Sequence, residues 1–364
     1  MRARFATAAS VIVLSAVALG GCGKKEAAPA AKGAAPASTA AAEDPNAAFD
    51  SLVDGLTCDY FAAFPEQATY YGAPPALAGE GADARLNDRS VAGETKTRAM
   101  LEASLAKVQA VDAAGLDARR AQIRDVLAEQ YAAMLAPARV ADYGGVGAVY
   151  GSWYAAYAAI QNAGPVVDVP NLMQTQQKAS TPAEAEAFLA RLAAFGPALD
   201  GVVAKLAADE AKGVVAPDFI LAKTGAVIAA FIAPAPEKNP LVVEFARKLA
   251  AAKVAGADAY VARAAKTLGE VVYPAEKRLH AALEAQKKKA VHDAGIWRLP
   301  QGTALYQAMI RQMTDTDMTA DAIHQKGLDE VARITGEMDA ILKANGYAAG
   351  TVGARMTKLG EEKR

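Results

Sequence analysis

The stretch TPAEAEAFLARLAAFGPALDGVVAKLAADEAKG, residues 181–213, decides the fold. Thr181 stands where a helix is capped, Pro182 at the first helical position and Glu184 two residues on, a capping box. Behind it Phe188, Leu192, Phe195, Leu199, Val202 and Leu206 recur in alternating steps of four and three. That spacing keeps one apolar stripe on one side of a helix, facing a partner. Pro197 inside the run predicts a kink, and Lys212-Gly213 predicts the stop, since glycine accepts the left-handed conformation after a helix end.

The same punctuation recurs on both sides. Asp44-Pro45 and Asn239-Pro240 read as caps followed by a first-turn proline. Thr319 caps a helix whose inward side is expected to carry Ile323, Val331, Ile334, Met338 and Ile341, with Ala344-Asn345-Gly346 ending it. The closing segment, Met356 to Arg364, is polar and offers no evident further helix. No stretch sustains the period-two alternation of a strand. The expectation is an all-α, large multi-helix antiparallel array. Three loops could carry chemistry: Tyr143–Gly151 (YGGVGAVYG), Asn162–Pro165 and Trp297–Gly302. The glycines of the first do not follow a strand, which argues against a phosphate cradle.

Composition narrows the function. Among 364 residues, 39 Lys and Arg face 40 Asp and Glu, so the basic surplus that nucleic-acid binding needs is missing. Hydrophobic residues at 53% suit a folded chain, and much of that share is helix-favouring alanine.

Residues 1–22, MRARFATAASVIVLSAVALGGC, read as an address. Arg2 and Arg4 precede an apolar run, Val11–Leu19, too short to span a bilayer and suited to a secretory signal. It ends in Leu19-Gly20-Gly21-Cys22, which resembles the lipobox of bacterial lipoproteins. The expected organisation is a signal peptide over 1–21, a lipidated flexible tether over 22–48 and a helical domain over 49–364. Acyl chains on Cys22 contribute about 0.8 kcal/mol per buried CH₂, so the bilayer is the expected partner. Gly23 in place of Asp carries no signal for inner-membrane retention in enteric-type bacteria, so the expected location is a periplasm-facing anchor in the envelope, on the outer membrane. Cys58 reads as a small apolar side chain of the core.

Catalytic groups are scarce. There is no HExxH and no GxSxG, and the three histidines are His280, His292 and His324. Glu276, His280 and Glu284 share a helix face, but spread over roughly 12 Å they cannot close on one metal. Lys277, Arg278 and Lys287–Lys289 around them point to a solvated face. His292 reads as exposed, and Asp209-Glu210 as surface charge. His324, one turn past the Thr319 cap, reads as a structural histidine, with a place in a cleft as the alternative. No catalytic or metal-ligating residue is assigned.

Several motifs together resemble a known family. They are Phe64-Pro65-Glu66-Gln67-Ala68-Thr69-Tyr70-Tyr71-Gly72, Arg85-Leu86-Asn87-Asp88, the 181–217 run, and Tyr273-Pro274. The most specific is Gly295-Ile296-Trp297-Arg298-Leu299-Pro300-Gln301-Gly302, followed by Tyr306, Met318-Thr319, Ile323-His324 and Gly327-Leu328. They are similar to the bacterial lipoprotein family known as domain of unknown function 885. The resemblance implies the N-terminal lobe of a helical zinc-metallopeptidase-like protein, with zinc held by an HExxxGH-like helix in a C-terminal half. No such helix occurs before Arg364, so no catalytic residue carries over and His324 becomes scaffold or cleft wall. Zinc is then expected only with that other half. The implied function is an envelope lipoprotein, inactive alone, paired with a C-terminal peptidase lobe or self-associating. The rival expectation is a non-catalytic helical binding or scaffolding lipoprotein, whose surface would have been repolarised.

Overall fold

The computed structural model describes residues 44–362; the signal segment, Cys22 and the tether up to residue 43 lie outside the described residues. The 181–213 stretch folds as α7 (Pro182–Glu210). Thr181 Oγ1 accepts the Glu184 N–H at 3.2 Å, and the Glu184 carboxylate accepts the N–H of Ser180 at 2.6 Å. Two otherwise unpaired donors at the helix start are thereby satisfied. Pro197 sits inside α7, which runs on past it to Glu210.

Elements before α7 are α1 (Pro45–Ala63), α2 (Pro65–Tyr71), α3 (Pro75–Ala78), α4 (Val91–Gln109), α5 (Ala118–Val140), β1 (Gly145–Val149), β2 (Trp153–Ala155) and α6 (Pro165–Thr175). After it come α8 (Asp218–Ile232), α9 (Pro240–Ala251), α10 (Ala257–Thr267), a π-helical turn (Leu268–Val272) and α11 (Tyr273–Lys287). The last three are α12 (Gly302–Thr314), α13 (Ala320–Ala344) and α14 (Val352–Glu361). Asp44 and Asn239 cap α1 and α9 with their side chains, as their Pro-led sequences imply.

Three apolar clusters hold the helices together. The largest joins α6 through α11, and the α7 residues Phe188, Leu192, Phe195, Leu199 and Val202 are fully buried in it. Phe188 stacks on Phe245 of α9 with ring centroids 4.0 Å apart. Each such buried side chain contributes about 1.5–3 kcal/mol by leaving water. A second cluster gathers Leu101 of α4, Leu135 of α5 and Leu305 of α12. The third packs Phe61, Phe64 and Leu77 where α1, α2 and α3 meet, with half-buried Cys58 against it.

Among the described residues the fold is helical apart from one hairpin, and that hairpin corrects the loop expected at 143–151. β1 and β2 pair antiparallel, Gly145 with Ala155 and Val149 with Trp153, with an irregularity between. These strands are too short for alternation to show. The closing segment is also corrected: it forms α14, capped by Thr351. Its helix is held by Arg355, buried against Asp339 of α13.

The expected inward side of α13 is only partly covered. Ile323 and Met338 are half-buried, whereas Val331, Ile334 and Ile341 are 64%, 44% and 63% exposed. Their periodicity is that of a packed helix, but the helix packs mainly on α14 and leaves the stripe in solvent.

Candidate functional site

A cleft of about 690 Å³, its open mouth included, lies between the hairpin, the start of α4 and α7. Its floor is built by the first two of the resembling segments. Glu66, buried at the start of α2, accepts the Asn87 N–H at 2.9 Å, and Asn87 Oδ1 accepts the Glu66 N–H at 3.2 Å. Arg89 then forks onto the Glu66 carboxylate at 2.6 and 2.7 Å. Burial alone would lower the Arg89 pKa, but the Glu66 charge and its hydrogen bonds outweigh it and raise it. Asp168 of α6 stands 4.0 Å from Arg89 and accepts the Gly164 N–H at 2.9 Å; burial raises its pKa against the pull of Arg89.

The walls hold the hairpin by its backbone. Glu94 of α4 accepts the Val146 N–H, and Asp209 of α7 accepts the Gly144 N–H at 3.3 Å. Asp209 is buried and closed by Lys205 at 2.5 and 2.6 Å, which corrects the surface-charge reading; only Glu210 faces outward, onto Lys289. Gly147 has φ 62°, and a Cβ there would fall 2.6 Å from the Phe64 ring. Only glycine permits that approach. The Tyr154 hydroxyl donates to the Tyr143 carbonyl, and the Tyr143 hydroxyl to the Pro300 carbonyl at 2.7 Å. Arg298 donates to the Tyr157 hydroxyl at 3.0 Å and the Val215 carbonyl at 2.6 Å. Residues 64–72, 85–89 and 295–302, far apart in sequence, thus meet around one hairpin.

The arrangement is a cage for backbone. Arg89, Glu94 and Lys205 all line the cleft and are all committed to ion pairs, so none is poised as a base or nucleophile.

The histidines do not converge. His324 is exposed on α13 and is not among the cleft-lining residues. His292 is 84% exposed and 2.9 Å from Asp218. His280 is half-buried against α8, where a Cβ on Gly225 would sit 3.3 Å from its Nε2. Glu276, expected on a solvated face, is instead fully buried, because that side of α11 packs on both α7 and α8. Neither of its carboxylate oxygens has a hydrogen-bond partner, and burial pushes its pKa up to about 8. Among the described residues no group of three His, Cys, Asp or Glu side chains is placed to hold a metal.

Residues 65–364 match the family model described as a bacterial protein of unknown function, DUF885. The chain belongs to the DUF885 family. A crystal structure of a "putative lipoprotein" from Colwellia psychrerythraea is similar, with 28% identity and a TM-score of 0.80. The match covers 88% of this chain and 55% of the Colwellia chain, so this DUF885 protein spans about half the length of that structure. Comparison with curated proteins finds no match.

Nothing local in the sequence signals the Glu66–Asn87–Arg89 lock, because its pairing is made across the α2–α4 connection. The motifs that carry the DUF885 resemblance were the available pointer to it.

Proposed function

We propose that this DUF885 chain is a lipid-anchored helical lobe of an envelope protein, held to the bilayer through Cys22 and facing the periplasm from the outer membrane. The apolar stripe of α13 seats a second body, the C-terminal lobe that the resemblance implies. Peptidase-like zinc chemistry belongs to that second body, and this lobe supplies scaffold. The observation that carries the reading is the stripe itself: Val331, Ile334 and Ile341 line one side of α13 and lie 44–64% exposed. A soluble free-standing module would carry polar residues there. The lipobox-like Leu19-Gly20-Gly21-Cys22 and the description of the Colwellia protein support the anchor.

Light scattering on the mature chain tests the stripe. Without its partner lobe the wild-type chain self-associates, whereas Val331→Glu with Ile334→Glu is monomeric at unchanged helix content. A monomeric wild type that binds no hydrophobic dye overturns the docking face. Elemental analysis after dialysis tests the assignment of chemistry: the chain retains no stoichiometric zinc, and one equivalent would contradict it.

A further inference from the structure

The hairpin turn holds Tyr150 at φ 51°, left-handed backbone that a bulky side chain takes only where its surroundings impose it. Those surroundings are firm. The Gly151 carbonyl accepts the Tyr60 hydroxyl at 3.2 Å, and the Ser152 carbonyl accepts Gln312 Nε2 at 3.2 Å. Gly151 lies so close to Gln67 that a Cβ would fall 2.6 Å from its Cγ. The strain displays Tyr150, which is 54% exposed and edge-on to Trp153 with centroids 6.3 Å apart.

A second aromatic pair lies on the helix that meets this turn through Gln67. Tyr71 is one helical turn past Gln67 on α2, hence on the same face as the side chain touching Gly151. It packs edge-on to Tyr70 at 5.4 Å, and the two are 44% and 54% exposed. In a chain that is 22% charged, no Asp, Glu, Lys or Arg occurs from residue 67 to 79 or from 143 to 167. Four rings are thus presented by two charge-free segments.

We propose that this aromatic patch is a bilayer-contact surface that rests at the headgroup level of a phospholipid membrane. Tyrosine and tryptophan, apolar in body with one polar tip, favour that depth. The absence of charge within these two segments fits a lipid interface better than a charged peptide; the exposed Asp83 carboxylate that meets α2 is taken up by the Thr69 hydroxyl at 2.6 Å. The orientation rests on the lipid-anchored reading; the patch itself does not. α1 is 19 residues long, about 28 Å, and joins the tether at Pro45 to the patch near Ala63. The chain from Cys22 to Asp44 reaches at most about 75 Å, enough to lay the patch on the leaflet that holds the anchor.

The chain has two tryptophans, Trp153 and Trp297, so each can report alone. Trp297→Phe leaves Trp153 as the probe, and Trp153→Phe leaves Trp297, which lies before α12, away from the Gln312 contact with the hairpin. The acylated full chain is mixed with phosphatidylethanolamine vesicles containing phosphatidylglycerol and brominated acyl chains. Trp153 emission shifts to the blue and is quenched severalfold more than that of Trp297. Tyr150→Gly combined with Tyr71→Ser abolishes the difference; glycine relieves the turn, so the melting temperature is kept. Vesicle-bound chain with Trp153 emission as in buffer overturns the proposal, as does quenching that survives the double variant. A chain that fails to sediment with vesicles overturns the anchor instead. The patch is then read on that chain at saturating lipid, where unquenched Trp153 rejects it. A shift produced by peptidoglycan fragments or an added protein and not by lipid also rejects it.

Discussion

The backbone N–H of Val146 is shared by both carboxylate oxygens of Glu94, at 3.2 and 3.0 Å. The same carboxylate takes Arg98 Nε at 2.6 Å, and Arg98 reaches the Ala138 carbonyl of α5 at 3.2 Å. One acid side chain therefore ties the hairpin to α4 and, through Arg98, to α5.

Glu94→Ala is expected to cost about 1.5–3 kcal/mol, the range for hydrogen bonds to a charged partner. In urea, Trp153 emission should respond before the far-ultraviolet helix signal does. Glu94→Gln, which keeps one acceptor, should lose less. An alanine variant with an unchanged midpoint and coincident transitions would remove Glu94 from this role.

Glu276 predicts a pH dependence of known sign. Below its ordinary value of 4.5 the carboxyl is protonated in both the folded and the unfolded chain. As pH rises from there to about 8, the unfolded chain releases the proton and the folded one keeps it, so stability falls. Above about 8 the loss is complete. Glu276→Met should flatten this slope and raise the melting temperature most on the alkaline side. Equal slopes in variant and wild type, measured by thermal unfolding across that range, would refute it.

Arg191 predicts a loss of another kind. Fully buried on α7, it donates to the Arg85 and Ala82 carbonyls at 2.8 and 2.7 Å. It also donates to Gln177 Oε1 at 3.1 Å and Thr69 Oγ1 at 2.8 Å. Burial lowers its pKa to about 10, and Asp83 opposes that shift. Arg191→Met leaves these acceptors unpaired and should cost about 3 kcal/mol or more in chemical denaturation. Arg191→Lys keeps the charge but not the planar fork, so it should recover only part of that. A methionine variant of wild-type stability would show the network to be dispensable.

What could be read from sequence was what is decided locally. Thr181, Pro182 and Glu184 are near neighbours, so the start of α7 is visible in a few letters, and the same holds for Asp44-Pro45 and Asn239-Pro240. The hairpin could not be read, since the need for Gly147 arises from the Phe64 ring, which arrives from another helix. Glu276 looked solvated because its neighbours Lys277 and Arg278 are charged, yet those point outward while Glu276 turns toward α7 and α8. On α13 the period is that of an amphipathic helix, yet only Ile323 and Met338 of its apolar side are half-buried. A stripe says that a helix wants a partner, not which residues supply one.

The bonds of α13 close almost wholly on itself and α14. Arg333 joins Glu330 and Glu337, Lys343 joins Asp339, and Arg355 joins Asp339 and the Tyr347 carbonyl. Toward the remainder, the Gln307 amide donates to the Met318 carbonyl at 2.9 Å, just before the helix begins. None of the three apolar clusters contains a residue of α13 or α14, so this pair is the part of the described fold expected to open first. The amides of α13 should therefore exchange with solvent well before those of α7, whose apolar side is fully buried.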